Sequence, residues 1–178
     1  SNAVRDLSLV GPLDPDVSVY ANRGASGIDG TVSTAIGVAL SAPGRTVALL
    51  GDLTFLHDIS GLLLGPRELH PADLTIVVAD DDGGGIFSLL EQGDQRLATD
   101  FERVFGTPHG ADLRALCVGA GVPFTDTDPD GLEALLAGPS FSLAHRDIVP
   151  EGMRVVRVQT SRQGLRDLHA ELRREAVG

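Results

Sequence analysis

The chain has 178 residues, 42% of them apolar, and a formal charge of −11. Such a chain folds around one real core instead of staying disordered, and its acidic balance excludes the basic stripe that a nucleic-acid binder needs. A single Cys excludes an internal disulfide and a multi-thiolate zinc site, and no apolar run is long enough to span a bilayer.

Ser1-Asn2-Ala3 is open to two readings, native or a cloning scar, and no signal peptide is visible, so the expected compartment is the cytoplasm. Residues 17–21 read as a short first strand, and 22–27 as a polar, glycine-rich turn. A helix with small residues on its faces is predicted over 29–40. Apolar runs at 46–50 and 74–79 read as buried strands, with a helix over 55–64 between them. Beyond the glycines a short helix is predicted over 86–91, then a polar loop with helical turns over 93–109. Asp112 caps a predicted helix over 112–119, a short strand covers 123–125, and a further helix covers 130–136. Residues 138–152 read as an exposed insertion, 153–159 alternate like a strand, and 163–176 form a polar-faced terminal helix. Strands alternating with helices predict a single α/β domain over residues 1–178. Its architecture is three-layer and doubly wound: a mostly parallel sheet with helices on both faces.

Two strand ends carry the chemistry. Gly51-Asp52-Leu53 follows the first buried run, and Asp80-Asp81-Asp82-Gly83-Gly84-Gly85-Ile86-Phe87 follows the second. A strand–helix–strand unit is parallel, so both acidic ends open on one edge of the sheet, where ligands of open α/β sheets bind. Asp52, Asp81 and the Gly83 carbonyl form an oxygen set suited to Mg²⁺, with water and phosphate oxygens completing it. The competing readings are plain: Asp52 as a helix cap and the Asp/Gly run as a turn. Three successive carboxylates repel unless a cation or water relieves them, which favours the metal. Gly83, Gly84 and Gly85 lack side chains that would block a diphosphate, and their N–H groups precede a helix start. In Asn22-Arg23-Gly24-Ala25-Ser26-Gly27-Ile28-Asp29-Gly30, Arg23 can clamp a substrate carboxylate, or can simply face solvent. The five His residues show no ligand spacing; His57 and His109 are the two nearest these motifs. Cys117, on an apolar helix face, reads as core.

The GD step, followed after Leu53 by about 26 residues and then the second acidic group, resembles the fingerprint of thiamine diphosphate enzymes. The strings NRGASGIDG, GDLTFLHD and GGGIFSLLEQGD together are similar to the SEPHCHC synthases of menaquinone biosynthesis, in their actinobacterial branch. The likeness runs from about Val4 or Arg5 to the terminal helix, apart from 138–152. It covers only the diphosphate-binding domain of that family, whose subunits also carry a pyrimidine-binding and a central domain. The resemblance implies that Asp52, Asp81 and the Gly83 carbonyl hold Mg²⁺ or Mn²⁺. It implies that Ile28 props the cofactor, and that Ser26, Gly27, Gly51, Leu53, Thr54, Gly84, Gly85 and Ile86 line it. Arg5 and Arg23, with Ser1 if native, would bind substrate carboxylates. Ile86, Phe87 and Leu90 would wall the isochorismate site.

The implied reaction decarboxylates 2-oxoglutarate and adds the succinyl unit to isochorismate. The implied assembly is a homodimer or homotetramer. The activating glutamate is expected in a partner subunit's pyrimidine domain, so no residue of this chain is expected to replace it and the chain alone is expected to be inactive. The family usually carries Asn where this chain has Asp80, Asp81 or Asp82, with mixed Asn/Asp patterns also found, and the carboxylates imply a tighter metal dependence or a preference for Mn²⁺ or Ca²⁺. Another thiamine diphosphate-dependent 2-oxoacid decarboxylase or synthase stays open as an alternative, as does a non-catalytic metal- or phosphate-binding module.

Overall fold

The computed structural model describes residues 2–9, 14–22, 24, 27–42, 44–94, 96, 98–137 and 152–177. They fall into two compact units. Residues 28–80 and 110–160 make one; residues 1–27, 81–109 and 161–178 make the other.

The first unit is a four-stranded sheet and its helices. Strands β1 (Thr46–Gly51), β2 (Leu74–Asp80), β3 (Phe124–Thr127) and β4 (Met153–Gln159) lie in the order β1-β2-β4-β3. Every pairing is parallel, with Leu50 opposite Val78 and Ala79 opposite Val158. Parallel strands need crossovers, and helices supply them. On one face Leu50, Leu74, Ile76, Val78, Met153 and Val155 meet a helical layer. That layer includes α2 (Thr31–Ser41), α3 (Asp52–His57) and α5 (Leu113–Gly119). In α2 the buried positions Val32, Ala35, Ile36 and Ala39 recur at helical spacing and make one apolar stripe. α5 starts as the sequence predicts: the Asp112 side chain accepts the Ala115 N–H at 3.0 Å.

The other face carries α6 (Pro129–Ala137). There Arg154 Nε donates to Thr75 Oγ1 at 2.9 Å, and its Nη2 donates to the Leu135 carbonyl at 3.1 Å. Helices therefore cover both faces, as predicted. β1 is an edge strand, and its Val47 and Leu49 are 47% and 54% exposed.

Two expectations fail in detail. Residues 17–21 are not a strand; Val17, Val19 and Tyr20 are exposed. Alternation gives strand propensity, but a strand exists only when its backbone is paired. The predicted helix over 55–64 begins earlier, at Asp52, and ends at His57; a separate 3₁₀ turn, Ile59–Leu62, seats the buried Leu62. The break falls at Asp58, whose carboxylate is engaged elsewhere.

The second unit is built from short helical pieces. α1 (Asn2–Leu9) is not among the predicted elements and takes in Asn2 and Ala3. It meets α7 (Leu165–Val177), where His169 Nε2 lies 3.3 Å from Asp6 Oδ1 and Asn2 Nδ2 donates to Asp6 Oδ2 at 3.0 Å. Burial pushes the Asp6 carboxyl above its usual range, partly countered by His169. Between them in sequence come 3₁₀ turns at Gly85–Leu89 and Glu91–Gly93, α4 (Ala98–Phe101) and a π turn at Glu102–Gly106. Arg166 pins α7 to the first of these, donating from Nε to the Ser88 carbonyl at 3.0 Å and from Nη2 to the Leu90 carbonyl. No helix among the described residues is long and apolar enough to cross a membrane.

Candidate functional site

Asp52 is the first residue of α3, directly after β1, and is 2% exposed. Its Oδ1 accepts the Leu53 N–H at 2.6 Å. A carboxylate there sits at a helix N-terminus, which favours negative charge. A carboxylate oxygen of Asp52 and one of Asp80 lie within 4.8 Å of each other. Asp80, at the end of β2, is 8% exposed. Two buried carboxylates this close need positive charge nearby. Arg157 on β4 supplies part of it: Nη1 lies 3.4 Å from Asp80 Oδ2, and Nε lies 2.6 Å from Asp126 Oδ1.

The rest of the acidic triplet is handled differently. Asp82 takes a left-handed backbone at φ 56°, and its Oδ1 accepts the His109 N–H at 3.0 Å. His109 Nε2 is 3.7 Å from the same oxygen. Asp81 lies against Gly85, where a methyl group would fall on Asp81 Oδ2. Asp80 and Asp82 are thus sent to separate partners, Arg157 and His109, which reduces the repulsion expected among three adjacent carboxylates.

Gly83, Gly84 and Gly85 are all buried. A methyl on Gly83 would fall on the Gly106 carbonyl oxygen, and one on Gly84 would meet the Phe105 carbonyl and lie 2.8 Å from the Phe87 ring. Gly83 also has φ 142°, which L side chains rarely adopt. The Gly84 N–H donates to the Gly106 carbonyl at 2.7 Å. Close packing against the π turn therefore accounts for Gly83 and Gly84, and the Asp81 carboxylate accounts for Gly85. A second strained residue, Thr107 at φ 42°, closes that turn. π turns and non-glycine left-handed residues concentrate at functional sites.

No protein-family model matches the chain. Over 173 residues, 97% of its length, it is 60% identical to the 2-succinyl-5-enolpyruvyl-6-hydroxy-3-cyclohexene-1-carboxylate synthase of Nocardia farcinica. The synthases of the same name from Rhodococcus erythropolis and Mycolicibacterium smegmatis are 58% and 51% identical over 97% of the chain. The chain is a homologue of a segment of these SEPHCHC synthases. It spans about 30% of the length of each of the three.

Several residues that the resemblance to SEPHCHC synthases singles out fall in the sheet unit. Ile28 is half-buried, and its carbonyl accepts the Thr31 hydroxyl at 3.3 Å. Gly51 ends β1, and Leu53 and Thr54 are partly buried in the first turn of α3 beside Asp52. In the other unit, Gly27 is exposed and Arg5 sits on an exposed position of α1. Ile86 and Phe87 belong to the 3₁₀ turn, with Leu90 40% exposed just beyond it. The Phe87 ring packs 5.6 Å from that of Phe105. Arg23, Ser26 and Ser1 lie outside the described residues.

Sequence reasoning missed Arg157, Asp58, Glu102 and Arg162. Arg157 alternates outward from a strand like any solvent-facing residue, so nothing local marks it. Asp58 lies inside GDLTFLHD, and that string is the only available signal.

The donor set fits a hard divalent cation. In the sheet unit, buried Asp52 and Asp80 offer carboxylate oxygens within 4.8 Å of each other, and their combined charge favours such a cation.

Proposed function

We propose that the chain is the diphosphate- and metal-binding domain of a SEPHCHC synthase, acting in menaquinone biosynthesis. The observation that carries this is the buried Asp52 at the first turn of α3, within a sequence 60% identical to a synthase of that name.

In this reading Asp52, Asp81 and the Gly83 carbonyl hold Mg²⁺ or Mn²⁺, which ties down the diphosphate of thiamine diphosphate. Gly51, Leu53, Thr54, Ser26, Gly27, Gly84, Gly85 and Ile86 line the cofactor, and Ile28 props it. When bound, the cofactor supplies the electron sink for decarboxylating 2-oxoglutarate and passing the succinyl unit to isochorismate. Arg5 and Arg23 orient the two anionic substrates through their carboxylates. Ile86, Phe87 and Leu90 give the ring of isochorismate an apolar wall and exclude water from it. The cofactor's activating glutamate comes from the pyrimidine domain of a partner subunit, in a homodimer or homotetramer, and the chain alone does not turn over.

Calorimetric titration of thiamine diphosphate into the chain, with and without Mg²⁺, tests the reading. The expected result is binding that needs the metal and disappears in Asp52→Ala and in Asp81→Ala. Binding that ignores both the metal and the two substitutions overturns it.

A further inference from the structure

We propose that Arg162 is the positioning residue of the glycine loop at 83–85. The inference rests on the reading of Asp81 and the Gly83 carbonyl as metal ligands. Arg162 sits just ahead of α7, and its carbonyl accepts the Leu165 N–H at 3.3 Å. Its side chain is only 17% exposed and runs along the loop. The Cγ lies 3.4 Å from where a Cβ on Gly85 would stand. At the far end Nη2 pairs with Glu102 Oε2 at 3.0 Å, and Nη1 lies 2.6 Å from where a Cβ on Gly106 would stand. One side chain thus touches the loop with its stem and the π turn with its head.

The two segments it touches are joined by the hydrogen bond from the Gly84 N–H to the Gly106 carbonyl. That bond sets the direction of the Gly83 carbonyl, which shares one planar peptide group with the Gly84 N–H. Arg162 Nη1 is buried and has no hydrogen-bond partner among the described residues. A buried cation with an unfilled donor is a poor stabiliser, so stability alone does not explain it. Position does: a planar fork can pair with Glu102 and still fill the space beside Gly106, which a lysine ammonium cannot.

The test uses the whole chain and three variants, Arg162→Met, Arg162→Lys and Glu102→Gln. Hydrogen exchange at the Gly84 amide reads the loop directly. Mn²⁺ titration in the presence of thiamine diphosphate, followed by electron paramagnetic resonance, reads the metal site. Arg162→Met is expected to speed Gly84 exchange and weaken Mn²⁺ binding, each about tenfold, with β2 amides such as Ile76 and Val78 unchanged. Arg162→Lys and Glu102→Gln should fall between it and the wild type. Unchanged Gly84 exchange in Arg162→Met overturns the proposal, as does uniform acceleration across β2. A wild-type chain that takes up no Mn²⁺ with thiamine diphosphate overturns the metal reading instead; Gly84 exchange then decides by itself whether Arg162 holds the loop.

Discussion

Asp58 caps a helix to which it does not belong. Its Oδ2 accepts the Ser33 N–H at 2.7 Å and its Oδ1 accepts the Ser33 hydroxyl at 3.2 Å, 25 residues back in sequence. Helix α2 is preceded by Gly30, which has φ 65° and offers no side chain to cap the first turn. Asp58 supplies the missing acceptor and places negative charge where the helix dipole favours it.

Replacing Asp58 with Ala is therefore expected to cost about 2 kcal/mol of stability, and Asp58→Asn about half that, since the amide oxygen still accepts. Urea unfolding followed by circular dichroism checks this. An Asp58→Ala midpoint equal to the wild type would mean that water caps α2 equally well.

The glycines divide into two kinds, and alanine scanning separates them. Gly83→Ala and Gly84→Ala put a methyl into backbone carbonyls of the π turn and are expected to destabilise by about 2 kcal/mol or more. Gly37, inside α2 with nothing within 4 Å of its added Cβ, is expected to gain roughly 0.5–1 kcal/mol as Ala. Calorimetric melting temperatures should move in opposite directions; movement in the same direction refutes the packing account of the loop.

Cys117 is fully buried against the sheet core, and burial pushes its thiol up to about 12 from the usual 9.0. The folded thiol then stays protonated across the whole working range and does not act as a nucleophile. A raised folded pKa means its contribution to stability is complete below about 9 and is lost as pH climbs towards about 12. Ellman's reagent should label Cys117 only on unfolding, and rapid labelling of the native chain at pH 8 would contradict this.

Arg157 neutralises Asp80 beside Asp52. Arg157→Met is expected to lower stability in EDTA by about 1–2 kcal/mol, discounted because the guanidinium is partly exposed. The same variant should gain more melting temperature from added Mg²⁺ than the wild type does, because the cation then offsets charge that Arg157 offset before. An equal Mg²⁺ response in both proteins would separate Arg157 from the metal-binding reading.

The strands were legible because their signal is local. β2 and β4 are runs of Val, Ile and Leu or a clean alternation, and both lie within a residue of their predicted bounds. The α5 cap was legible for the same reason, since Asp112 and Ala115 are three residues apart. Contacts between distant residues were not. Arg157 and Asp80 are 77 residues apart, and no pattern around either one names the other. The glycine run was legible as a place that excludes side chains, but not in its cause: the sequence suggests room for a diphosphate, and the structure adds a π turn that needs the same space. Residues 17–21 mislead because alternation reports what a segment can do when paired, and pairing is a property of the neighbour.

The central position of β2 also governs how fast this chain can fold. Its first neighbour, β1, precedes it closely, but its second, β4, pairs Thr75 with Arg154 from 79 residues away. During synthesis one side of an almost wholly apolar strand therefore waits for its partner, for on the order of ten seconds at typical elongation rates. Over that interval the half-built sheet is open to wrong pairings, and slow, chaperone-sensitive maturation is the expected consequence.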